Sequence, residues 1–94
     1  MEDWKAGMLA KAKAGHDKDQ LYVIIKVEPE YVYLADGKKR TLDRPKKKNR
    51  RHVQIIKRAS GELQTKFENG SKIIDEEIKY ILKAYQATMV SEEV

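Results

Sequence analysis

The 94-residue chain contains no cysteine. Disulfides, thiolate zinc sites and a cysteine nucleophile are therefore excluded. Histidine is scarce: His16 and His52 are the only two. Each has an acid available, but no nucleophile completes a recognisable triad with them. No P-loop or dinucleotide fingerprint is present. Asp75, Glu76 and Glu77 are successive, so on a helix they point in different directions. A preference for acids at a helix N-terminus explains them better than a metal site does. No enzyme activity, cofactor or metal is expected. No apolar run approaches the ~20 residues needed to cross a bilayer, so no membrane partner is expected either. The start, Met1, Glu2, Asp3, is acidic and lacks the apolar stretch of a secretory signal. A soluble, cytoplasmic protein is the expectation by elimination.

What the chain does have is charge, unevenly placed. Charged residues make up 37% and apolar residues 40%. Between positions 38 and 58 stand eleven Lys or Arg and one acid, Asp43, a local charge of +10. The whole chain carries +5, so the remainder sums to −5. Such a separation is the electrostatic footprint of a nucleic-acid binder. A solvated loop that only maintains solubility is the blander reading, and the size of the separation argues against it.

Taken in order, the chain reads as short strands followed by a helix. Trp4 either caps the end of a small barrel or dangles. Residues 8–14 suit a helix by propensity, or a strand alternating Leu9, Lys11, Lys13 with Met8, Ala10, Ala12, Ala14. Residues 15–19 form a glycine-led turn. Residues 20–27 are the clearest strand, with Leu21, Val23, Ile25 and Val27 on the expected core face. Pro29 ends it. Residues 31–35 form the next strand, with Val32 and Leu34 together on one face. Asp36-Gly37 predicts a two-residue type I′ hairpin, residues 38–42 its return strand, and 43–50 a loop around Pro45. Residues 51–56 resume the alternation, with Val53 and Ile55 inward. This spacing suits a small barrel or twisted sheet. Ser60-Gly61 and Asn69-Gly70 mark turns in a connector over 59–72, where Leu63 and Phe67 are able to pack on the domain. Residues 73–87 form an amphipathic helix with the stripe Ile74, Ile78, Ile81, Leu82, Tyr85, capped by Ser71 or Asp75. It is too short to stand alone in water, so it docks on the barrel or on a protein partner. The tail after 87 is expected to fray.

Lys13-Ala14-Gly15-His16-Asp17-Lys18-Asp19 followed by Tyr22 through Val27 resembles a KOW motif. The continuation adds Ala35-Asp36-Gly37, then Pro45-Lys46-Lys47-Lys48, then His52-Val53-Gln54. With it, residues 7–56 resemble the bacterial KOW domain RNA-binding proteins related to archaeal and eukaryotic large-subunit ribosomal proteins. The resemblance selects the strand reading of residues 8–14. It implies a small SH3-like β-barrel over 7–58; with the C-terminal α-helix read from its apolar stripe, which is no part of the motif, the expectation is a mainly β fold in one domain. It also implies a ribosome-associated protein of translation that binds structured RNA, commonly ribosomal RNA. Gly15 would let the backbone approach RNA, with His16 and Lys18 on the same loop. Lys46, Lys47 and Lys48 would reach phosphates. The family turn often carries a second glycine where Asp19 and Gln20 stand here, and Asp19 sets a negative charge on that loop.

The candidate RNA-binding residues are Lys13, Gly15, His16, Lys18, Lys38, Lys39, Arg40, Lys46, Lys47, Lys48, Arg50, Arg51 and His52. Lysines serve phosphates as point charges, whereas Arg40, Arg50 and Arg51 can fork bidentately or stack on a base. Tyr31 and Tyr33 share a strand face and are able to stack on unpaired bases. Packing on the barrel under the helix is the preferred reading of that pair. The competing class is a protein-interaction module, or a general nucleic-acid binder, in which barrel and helix dock a partner.

Overall fold

The computed structural model describes residues 4–57 and 61–93. Arg58, counted in the basic stretch, and Ser60, of the first expected connector turn, lie outside the described residues. The described residues fold as one five-stranded antiparallel sheet with two helices. The strands are β1 (Leu9–Ala12), β2 (Leu21–Val27), β3 (Tyr31–Ala35), β4 (Lys46–Asn49) and β5 (Val53–Lys57). A single 3₁₀ turn, Arg50–His52, separates β4 from β5. The helices are α1 (Glu62–Asn69) and α2 (Asp75–Glu93). The sheet order is β4-β3-β2-β1-β5.

The central strands bury both faces, which explains why β2 is a nearly continuous apolar run. Tyr22 and Ile24 join Met8, Ala10, Ala12, Val32, Leu34 and Val53 in one cluster. Leu21 and Val23 join Leu9, Ala35, Leu63, Ile78 and Leu82 in a second, between sheet and helices. The expectation of one core face, Leu21 through Val27, is thus corrected. The pairing with β3 shifts register between Ile24 and Lys26, and Val27 then packs on the cluster opposite to that of Leu21, Val23 and Ile25. Trp4 packs against the first cluster, so it does not dangle.

The hairpin after β3 is also corrected. Residues 38–42 are not a strand, and β4 lies inside the segment read as a loop. The Asp36 carboxylate accepts from the backbone N–H of Lys38 and of Arg40, at 2.9 Å each. The N–H groups of Asp36 and Gly37 both reach the Arg40 carbonyl, at 2.8 and 3.1 Å. Backbone groups satisfied locally by an Asp are withdrawn from the ladder. Pairing therefore resumes only at Lys46, opposite Leu34. A strand of three lysines and an asparagine is tolerable because β4 pairs only with β3, and lysine is a common device on sheet edges.

The connector holds a helix that was not anticipated. α1 presents Leu63 and Phe67 to the sheet. Asn69-Gly70, read as a turn, is its stop: Ser71 N–H bonds to the Lys66 carbonyl and Gly70 N–H to that of Phe67, a Schellman closure. Gly7 makes this docking feasible. Its φ is 98°, and a Cβ there would stand 2.7 Å from Gln64 Cα.

α2 buries Ile78 and Leu82, each worth about 1.5–3 kcal/mol of apolar transfer. Ile74 departs from the expected stripe and is exposed. It precedes the first helical turn, where its N–H bonds to the Glu77 carboxylate at 3.2 Å, one half of a capping box. Ile73 packs on the core in its place. α2 also continues to Glu93 instead of fraying after 87, since no glycine or proline interrupts it. No helix among the described residues is long and apolar enough to cross a membrane.

Candidate nucleic-acid interface

The basic residues divide by what they already touch. The β1–β2 turn carries Asp17 to Tyr22, a member of the first apolar cluster. Its side chain is only 13% exposed and is held by three donors. The Tyr22 hydroxyl donates to Oδ2 at 2.9 Å. Lys46 Nζ lies 3.0 Å from Oδ2 and Lys48 Nζ 2.9 Å from Oδ1. Lys48 also donates to the Ala14 carbonyl at 3.1 Å. Lys46 and Lys48 alternate with Lys47 along β4, so they share a face. Burial opposes the ionisation of Asp17. The hydrogen bonds from Lys48, Lys46 and Tyr22 outweigh it and hold the carboxyl well below the usual carboxylate range. Burial, reinforced by the bond to Asp17, pushes the Tyr22 phenol well above its ordinary value.

This arrangement revises the picture of three lysines on a flexible loop. Lys46 and Lys48 share one carboxylate and are pinned by it. Lys47 faces the other way, with its ammonium 4.5 Å from the Tyr31 ring centre and 6.0 Å from that of Tyr33. Lys26 lies 5.3 Å from the Tyr33 ring centre. The tyrosines are half-buried under lysines rather than under the helix, which corrects the preferred reading of that pair.

The turn and the β3–β4 loop enclose a cleft of about 390 Å³. It brings together His16, Lys38, Lys39, Arg40 and Lys46, with Asp17, Asp36 and Tyr22 in its lining. Lys38, Lys39 and Arg40 are exposed, and the Asp36 bonds to their backbone fix where the loop presents them. Gly15 and Lys18 lie on the exposed turn beside this cleft. Asp19 takes φ 71° there, with its carboxylate 4.0 Å from Lys11.

The remaining candidates stand elsewhere. The Lys13 N–H bonds to the His52 carbonyl at 2.8 Å, which joins Lys13 to the exposed Arg51 and His52 of the 3₁₀ turn. Arg50 is engaged in packing. Its guanidinium lies 4.7 Å from the Trp4 ring centre and donates to the Pro29 carbonyl at 3.1 Å. Two cations that sequence reasoning passed over, Lys79 and Lys83 of α2, line an adjoining cleft together with Lys38. Their i, i+4 spacing was the available signal.

Chemically, the main cleft offers several ammonium groups and a guanidinium to an anion, with an imidazole beside them. Among the described residues, no group of three or more His, Asp or Glu side chains is placed to hold a metal ion. Compared with known families and curated proteins, the chain matches no family model and no curated protein.

Proposed function

We propose that the protein is a non-catalytic RNA-binding protein that engages the phosphate backbone of structured RNA, with ribosomal RNA as the foremost class. The observation that carries this reading is the cleft where His16, Lys38, Lys39, Arg40 and Lys46 converge. An A-form helix offers phosphates and 2′-hydroxyls across a shallow groove and few readable base edges, which suits exposed cations on a fixed loop. The sheet order, with a 3₁₀ turn before a fifth strand that pairs with the first, is consistent with the SH3-like barrel of KOW domains. One apolar cluster draws on β1, β2, β3 and β5, as the interior of such a barrel would.

The test is fluorescence anisotropy of labelled ribosomal RNA fragments and duplex DNA over a range of salt. Contact with about six phosphates predicts a log–log slope of roughly −4 to −5. Tight, salt-dependent binding that prefers RNA is the expected outcome. Weak binding, equal for RNA and DNA, would reduce the surface to general electrostatics.

A second reading draws on the groove of about 260 Å³ between α1 and α2, lined by Leu63, Tyr80 and Ile81. Tyr80 is 72% exposed beside it. A protein-docking role predicts that Tyr80→Asp abolishes partner binding while RNA affinity is unchanged.

A further inference from the structure

The β3–β4 loop separates two clefts. One is the basic cleft described above. The other, of about 240 Å³, lies between the loop and α2. Gln20, Asp36 and Lys38 line both, so the two adjoin at Lys38. From this adjacency we infer that α2 is the second wall of the polyanion site, where Lys79 and Lys83 take phosphates of the same RNA that Lys38, Lys39 and Arg40 engage. The inference rests on the RNA-binding reading and extends it to a helix for which the KOW resemblance implies no role.

Three observations support it. First, loop and helix are locked together. Gly37 adopts φ 80°, and a Cβ there would stand 2.5 Å from the Asp75 carbonyl oxygen and 2.8 Å from Lys79 Cγ. The Asp75 carboxylate accepts from Leu42 N–H at 2.8 Å. The Lys79 stem thereby lies against the loop, and Lys79 lines the cleft together with Lys38. Second, the cations outnumber the acid. Among the described residues, neither Lys79 nor Lys83 is drawn into an ion pair, whereas Lys46, Lys48 and Lys66 are. Asp36 is the acid that lines this cleft, against the three cations Lys38, Lys79 and Lys83. Third, like charges at i, i+4 repel on a helix, and here they face a third cation across a narrow cleft. A polyanion relieves that repulsion. Lys79 and Lys83 stand one turn apart on one face, so they present a row and not a single point.

The experiment uses a fluorescein-labelled RNA hairpin and the whole chain. K79Q/K83Q is expected to bind about tenfold more weakly at ~0.1 M salt, with a salt slope shallower by about 2. K72Q, at an exposed lysine before the helix, should stay near wild type. A thermal melt of each variant reports folding. Independently of any variant, Lys38, Lys79 and Lys83 of the wild-type protein should be protected from acetylation by the hairpin. Unchanged affinity, slope and acetylation at Lys79 and Lys83, with Lys38 still protected, would overturn the helix wall and leave the RNA reading standing. Failure of the wild type to bind the hairpin would overturn both. Polyglutamate binding as tightly as RNA would overturn the assignment of this wall to nucleic acid.

Discussion

Two sets of cations stand in or beside the basic cleft and differ in what holds them. Lys46 and Lys48 sit on an edge strand, with side chains 25% and 11% exposed, around one carboxylate. Lys38, Lys39 and Arg40 sit on a loop, exposed, and what Asp36 grips is their backbone and not their side chains. The first set spends its charge inside the protein, and the second leaves it for a ligand. An ion pair that is mostly withdrawn from water contributes to the fold only while both partners remain, and losing one leaves an uncompensated charge. A fixed backbone with free side chains limits the ordering cost of meeting a polyanion without neutralising the charge. Run length and net charge therefore do not rank lysines for binding; the nearest carboxylate does.

The largest effect should come from exchanging the roles of the two sets. K38Q/K39Q/R40Q is expected to weaken RNA binding about 30-fold or more and to flatten the salt slope by about 3, with melting unchanged. K46Q/K48Q should instead destabilise the fold by about 2 kcal/mol, below the roughly 3–5 kcal/mol of a fully buried pair, because Asp17 is left without its ammonium partners. Anisotropy and urea melts on both variants decide. If K46Q/K48Q loses more RNA affinity than the loop variant and melts normally, the comparison is wrong.

A smaller effect tests the clamp by pH. Because its folded-state value is depressed, Asp17 contributes stability that is fully present above its ordinary value of 3.8 and is lost as pH falls toward its folded value. The Tyr22 phenol is shifted upward, so its contribution is present below its ordinary value of 10.0 and is lost as pH rises above it. Stability measured by urea melts should therefore fall on both the acid and alkaline sides. D17N should flatten the acid limb, and Y22F the alkaline one. D17N should also tighten RNA binding, since it frees Lys46 and Lys48. An unchanged acid limb in D17N would mean that the clamp does not contribute.

The smallest effect concerns Lys47, which belongs to neither set. Removing its ammonium from the Tyr31 and Tyr33 rings by K47A should cost about 0.5 kcal/mol in a thermal melt. A much larger loss would place it with the structural lysines.

Part of this organisation is legible in the residues. The apolar alternation and β-branched content of residues 20–35 locate β2 and β3. The spacing of Ile78, Ile81, Leu82 and Tyr85 locates α2, and the surplus of cations after residue 36 locates the basic side of the molecule. Other features are not legible. α1 offers only Leu63 and Phe67 as apolar anchors, too few for periodicity to register. Asp36-Gly37 looks like a hairpin turn because sequence spacing does not reveal that the Asp36 carboxylate holds the backbone N–H groups of Lys38 and Arg40. Three adjacent lysines look equivalent because their alternation matters only once β4 is known to be a strand.

By composition and pattern alone, the sequence determined that this chain cannot use disulfides, that it builds short strands before a helix, and that its positive charge is concentrated after residue 36. Only the tertiary structure decided that Asp17 would meet Lys46 and Lys48 from about thirty residues away, that Gly37 would seat the loop against α2, and that Lys79 and Lys83 would join Lys38 around one opening. The physical reason is that propensity and patterning act within a few residues. Which charges are neutralised depends on contacts a few ångströms long between segments far apart in the chain, and these form only when the apolar faces of β1, β2 and α2 have packed.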